Sequence, residues 1–222
     1  MKKNLIFGCS ALGRRLFHNL KNEGHTTAAF VVDDNYCHQE QFYGLPLVPY
    51  SKMEKLFPPA EYEVYVAIGY TDMNAGRKKV MERLLERGYS LPNYIHPSVI
   101  RDGVTMGLGN LIFAGSILDM DAKIGDGNML FQGVIISHDT KIGSYNYFSP
   151  SVALAGDITA GNQNFFGLNC SVKNGVRIGD CCLIGSSAYV SRDLKDGRVL
   201  LPAKSILVRA DSRDIISWVI ET

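Results

Sequence analysis

The chain has 222 residues, 46% of them hydrophobic, with 23 Lys and Arg against 22 Asp and Glu. A net charge of +1 gives no basic face of the kind that nucleic-acid binding needs, and no apolar run reaches the roughly 18 residues of a membrane span. The five cysteines (Cys9, Cys37, Cys170, Cys181 and Cys182) are odd in number and hold no CxxC pair, which argues against a disulfide framework or a zinc knuckle and fits reduced thiols in a cytoplasmic protein.

The first residues look superficially like a signal peptide, but their apolar stretch is short and runs into Gly8, so residues 4–7 read as a buried strand. A helix over 11–23 follows, with Leu12, Leu16, Phe17 and Leu20 at helical spacing. Residues 27–32 form a second strand closed by Asp33-Asp34-Asn35, and 44–48 a short third. A short helix over 51–57 is expected to open on Ser51 as its N-cap. A strand over 63–69 precedes a helix over 74–87, ended by Gly88. Strand and helix alternate, which predicts a parallel sheet with helices packed on it.

From residue 100 the rhythm changes. Every sixth residue from Ile100 to Val190 is apolar, without exception, and Ile-Gly recurs at Ile124-Gly125, Ile142-Gly143, Ile178-Gly179 and Ile184-Gly185. This is the hexapeptide repeat of a parallel β-helix. Each repeat places one side chain in a narrow prism and then turns. Three repeats close a coil of eighteen residues, giving about five coils stacked at roughly 4.8 Å. Residues such as Asn110, Asn128, Asn146 and Asn164 fall four positions after the apolar ones. They are expected at the corners, where Asn tolerates a left-handed backbone. Ile215, Ile216, Trp218 and Val219 suggest a short helix within 211–220 that covers the end of the stack. The expected divisions are therefore an α/β domain at 1–93, the β-helix at 94–205, and a capping segment at 206–222.

The interior of the prism is apolar, so chemistry must lie outside it. His138 is the one histidine within the coils. Counting on by eighteen places Gly156, Asn174 and Arg192 in its column. An imidazole titrates near neutrality and can take a proton from an attacking amine or hydroxyl. Asp139 can orient the ring, but only across a corner or bulge. The plainer reading is a surface histidine at a turn. His96 reads as a junction residue, and three-histidine zinc chemistry lacks its ligands. In the N-terminal part, Gly8-Cys9-Ser10-Ala11-Leu12-Gly13 joins a strand to a helix, the context for phosphate binding. Ser10 stands where a dinucleotide fingerprint has its second glycine. Asp33 and Asp34 are placed to meet ribose hydroxyls or a base edge, and Gly69 with Asn74 and Arg77 to complete a phosphate pocket. A plain tight turn is the alternative.

The glycine loop, Asp33-Asp34, Ala67-Ile68-Gly69 with Arg77-Lys78, Tyr94-Ile95-His96-Pro97-Ser98, the hexapeptides and Pro202-Ala203-Lys204 occur in an order that resembles one family. It is that of the bacterial nucleotide-amino-sugar N-acetyltransferases and the related sialic acid O-acetyltransferases. The resemblance implies a Rossmann-like N-terminal domain and a left-handed β-helix. It implies a homotrimer with active sites between subunits, and acetyl-CoA as co-substrate without a metal. The reaction implied is N-acetylation of a nucleotide-linked amino sugar in surface-polysaccharide or glycan biosynthesis. The residues carried over are His138 as base, Asp139 as its partner, and Gly156 beside the thioester, with Gly8, Ser10, Gly13, Asp33 and Asp34 on the sugar nucleotide. Ala11-Leu12, Tyr147 and residues 70–74 depart from the family pattern. Sugar O-acetylation and a non-catalytic, nucleotide-sensing trimer are the rival readings.

Overall fold

The computed structural model of the protein describes residues 2–205, 207, 209 and 212. The N-terminal part runs β1 (Lys3–Phe7), α1 (Ala11–Asn22), β2 (Thr27–Val32), β3 (Gln41–Phe42), β4 (Leu45–Pro49), α2 (Tyr50–Leu56), β5 (Tyr62–Val66) and α3 (Ala75–Glu86). The sheet order is β3-β4-β2-β1-β5. Its central pairs are parallel, and β3 is an antiparallel edge on β4. Alternate residues of β1 point to opposite faces. Leu5 and Phe7 pack with Val80, Met81 and Leu84 of α3, whereas Ile6 packs with Leu16 and Leu20 of α1. Helices therefore cover both faces, which explains why the strands read as continuous apolar runs.

Local chemistry sets the boundaries. Ser10 caps α1, its Oγ accepting the Leu12 N–H at 3.3 Å. The expected Ser51 cap is corrected: α2 already begins at Tyr50, and Asp34 Oδ1 reaches across to accept the Ser51 N–H at 3.0 Å. Gly88 follows the end of α3 with φ +80°, a conformation that glycine adopts at little cost.

From Tyr94 to Leu200 the chain is a parallel β-helix of two-residue strands in three sheets of six, five and seven strands. Pairings such as Ile117↔Ile135↔Ala153↔Ser171 advance by eighteen residues per coil. From Ile112 to Val190 the sixth-position residues lie in one buried cluster, with Phe148 stacked on Phe166 at 4.4 Å. Each Val, Leu, Ile or Phe among them contributes about 1.5–3 kcal/mol by leaving water.

The corners differ from expectation. The left-handed backbone falls one residue earlier than the asparagines, at Gly109, Gly127, Tyr145 and Gln163 (φ 66°, 61°, 62° and 56°), and at Asp121, Asp139 and Asp157 (φ 59°, 59° and 57°) on the corner of His138. Asn110, Asn128, Asn146 and Asn164 are fully buried. Each Oδ1 of the first three accepts the backbone N–H of the next at 2.8 Å. Asparagine is used here because its amide satisfies backbone groups inside the turn, where leaving them unpaired would be costly.

The eighteen-residue register ends at Val190. Ile178 bridges Leu194 and Leu183 pairs with Val199, both offsets of sixteen. The third sheet packs on the N-terminal part: Leu111, Phe113 and Met129 share a core with α1 and β2. The expected helix within 211–220 lies, Ser212 apart, outside the described residues.

Candidate active site

Ile135–Ile136 is a strand whose second residue is buried in the prism, so His138 emerges where the chain begins to turn. Asp139 adopts φ +59°, and this corner folds its carboxylate back onto the ring. His138 Nδ1 and Asp139 Oδ2 lie 2.9 Å apart, on an exposed outer edge. The backbone is pinned as well: the His138 carbonyl accepts the Asp157 N–H at 3.0 Å, and Thr140 Oγ1 donates to the Ala155 carbonyl at 3.2 Å. The hydrogen bond to Asp139 raises the His138 pKa above the ordinary histidine value, and Asp119 and Asp157 add to the effect. With Nδ1 engaged, Nε2 is left to exchange a proton with a ligand.

Gly156 lies one coil on, buried beneath the ring. A Cβ there would stand 2.5 Å from both Cε1 and Nε2 of His138 and 3.1 Å from Asn174 Oδ1. Glycine is thus needed first to seat the imidazole. Asn174 continues the column, exposed. Arg192 is corrected: it falls in the corner that loses two residues, so counting by eighteen no longer places it over Asn174.

The glycine loop opens a second region. Gly8, Ser10, Asp33 and Gly69 line one cavity of about 260 Å³, together with Tyr36 and Thr71. Gly8 has φ +120°, and a Cβ on it would meet the Ala67 carbonyl oxygen at 2.6 Å. Gly13 is not on this cavity. It is buried against the Gly8 carbonyl, where a side chain would collide, so it packs the helix onto the strand. Asp33 accepts from Arg83 Nη2 at 2.7 Å. Asp34 faces away, and its bond to the Ser51 backbone lowers its carboxyl pKa.

Arg77 also departs from the expected role. Its guanidinium is fully buried and donates to the carbonyls of Ile68, Gly69, Gly127, Tyr145 and Asn146 at 2.8–3.2 Å. All five N–H groups are occupied, so none is left for a phosphate. Asn74 is likewise buried, donating to the Asn164 carbonyl at 3.2 Å. Both residues bind the start of α3 to the coils.

Sequence reasoning missed a second cavity of about 250 Å³, lined by Ser10, Leu12, Arg15, Gly69, Tyr70, Phe131 and Tyr147. Its signal was the outward aromatic ladder: Tyr147 and Phe165, eighteen residues apart, stack at 5.3 Å. Among the described residues no group of three or more His, Cys, Asp and Glu is placed to hold a metal. Nor is any helix long and apolar enough to cross a membrane.

No protein-family model and no curated protein matches the chain. Solved structures do. PerB from Caulobacter crescentus, in complex with CoA and GDP-perosamine, is 29% identical with a TM-score of 0.82. The match covers 91% of this chain and 95% of that one. The chain is a structural relative of bacterial hexapeptide-repeat sugar acetyltransferases. Mutants of the C. crescentus perosamine N-acetyltransferase in which a histidine is replaced, also holding CoA and GDP-perosamine, match at 27% identity with a TM-score of 0.83. The acetyltransferase domain of PglB from Neisseria gonorrhoeae matches at 21% identity over 93% of this chain and 100% of its own, with a TM-score of 0.82. WeeI from Acinetobacter baumannii matches at 22% over 91% and 97%, with a TM-score of 0.81. These last two speak for the fold alone.

Proposed function

We propose that this acyltransferase moves the acetyl group of acetyl-CoA onto the amine of a nucleotide-linked sugar, with His138 as general base. The observation that carries the reading is the His138–Asp139 pair at an outer corner of a chain so similar to one solved with CoA and a nucleotide amino sugar. The amine attacks the thioester carbonyl and forms the C–N bond. His138 Nε2 takes the amine proton, while Asp139 holds Nδ1 and stabilises the imidazolium. The Gly156 N–H donates to no group among the described residues and is left to steady the oxyanion. The C–S bond then breaks, the imidazolium returns its proton to the thiolate, and CoA and an amide leave. No covalent enzyme intermediate is needed.

In this reading a Rossmann-like domain over 1–93 holds the nucleotide at Gly8, Ser10, Asp33 and Gly69. The left-handed coils of 94–205 carry acetyl-CoA past Gly156 and Asn174. A homotrimer working in the cytoplasm completes the site. Ile100, Ile117, Ile135 and Tyr189 supply an exposed apolar stripe on the sheet that leads into His138, a surface suited to burial against another subunit.

The pH dependence tests the pair. A base works only when unprotonated, so a raised pKa moves the rising acid limb of kcat/KM above the histidine reference of 6.5. Asp139→Asn removes the main cause of the shift and is expected to move that limb to lower pH while lowering the plateau. An unmoved midpoint would show that Asp139 does not act on His138.

A further inference from the structure

Of the cavities that border the glycine loop, two share both Ser10 and Gly69 as a common rim, and a third, lined by Arg14, Phe42 and Tyr43, lies on the other side of Ser10 and does not reach Gly69. The first contains Asp33 and Tyr36, the polar and aromatic groups suited to a nucleoside. The second contains the only cationic side chain that lines either cavity, Arg15. Its neighbour Arg14 is engaged with Tyr43, donating to the hydroxyl at 2.8 Å. Arg15 has no carboxylate partner among the described residues. Its guanidinium lies 5.8 Å from the ring centroids of both Phe113 and Phe131. Contact with these aromatic faces limits where the planar group can go without using its N–H donors.

The geometry points to Arg15 as the ligand of the distal phosphate of a nucleoside diphosphate whose nucleoside occupies the first cavity. The chain of atoms from ribose to sugar must cross the rim. There it meets the first turn of α1, where Ser10 caps the helix and no acidic residue opposes an anion. The proximal phosphate lies at this rim. The distal phosphate lies beyond it, within the cavity that Arg15 lines, and the sugar then faces Tyr70, Phe131 and Tyr147. A guanidinium can grip a phosphate through two parallel N–H donors, a geometry that a lysine does not reproduce. The inference rests on the nucleotide-sugar reading and adds a residue that the glycine-loop pattern does not include.

Isothermal titration of the full chain with GMP, GDP, UMP, UDP, TMP and TDP separates the two. The wild type is expected to bind one diphosphate more tightly than its own monophosphate. Arg15→Ala should weaken the diphosphate roughly ten- to hundred-fold, the range for losing a charge-assisted contact. It should leave the monophosphate unchanged, and Arg14→Ala should leave both unchanged. Arg15 is exposed, so its substitution does not threaten the fold. Equal weakening of mono- and diphosphate by Arg15→Ala, or no weakening, would overturn the assignment and leave the nucleotide-sugar reading standing. A folded wild type that binds none of the six would overturn both.

Discussion

Replacing His138 with alanine is expected to lower kcat by roughly 10²–10⁴-fold, the usual range for losing a positioned general base. Binding of acetyl-CoA should change little, because the ring is spent on a proton and not on holding the cofactor. The fold should survive, since His138 is exposed and its column is glycine on one side. Stopped-time measurement of thiol release, with circular dichroism as the control for folding, checks both halves. Full turnover in a folded His138→Ala protein would remove the imidazole from the mechanism. Residual activity that rises steeply at high pH fits the proposal, because an unprotonated amine then needs less help.

The second large effect concerns stability. Arg77→Met keeps most of the side-chain volume but withdraws the guanidinium donors from five carbonyls, of which that of Asn146 keeps the Met129 N–H. Each buried carbonyl left without a partner costs about 1–3 kcal/mol, so the loss is a large share of the roughly 5–15 kcal/mol that holds a typical domain together. Burial lowers the Arg77 pKa to about 9, with no carboxylate among its bonding partners, so it remains cationic at neutral pH. The carbonyl dipoles take the place of a counter-ion. Arg77→Lys should rescue little, because an ammonium has three donors and no planar fork. Urea denaturation of the two variants tests this, and a midpoint within experimental error of wild type would show that the carbonyls find other partners.

How far the sequence could be read depended on periodicity. The prism was legible because a two-residue strand and a turn, repeated without slippage, force an apolar residue every six. β2 was legible to the residue, since a run buried on both faces leaves no polar register to confuse it. The corners were misread because Asn both tolerates left-handed backbone and bonds within turns, and the sequence does not say which property is in use. The residue before each asparagine, from Gly109 to Gln163, carries the left-handed backbone, and the asparagines carry the hydrogen bonds. Arg77 was misread for a related reason. An arginine after a glycine-ended strand suits a phosphate or a cluster of carbonyls equally well, and only the approach of the Gly127 and Tyr145 turns decides. Arg192 failed because arithmetic on a repeat holds only while the repeat is intact, and the final coil is two residues short. The second cavity was hidden because its walls come from α1, the loop after β5 and the third sheet, which nothing in the chain order brings together.

The most direct test of the account offers purified protein acetyl-CoA with nucleoside-diphosphate amino sugars, GDP-perosamine first among them, and follows both free thiol and the mass of the sugar nucleotide. The expected result is thiol release matched one for one by a sugar nucleotide acetylated on nitrogen, and none when the amine is replaced by a hydroxyl. Thiol release that proceeds equally well with the hydroxyl sugar, or with no sugar nucleotide present, would contradict it.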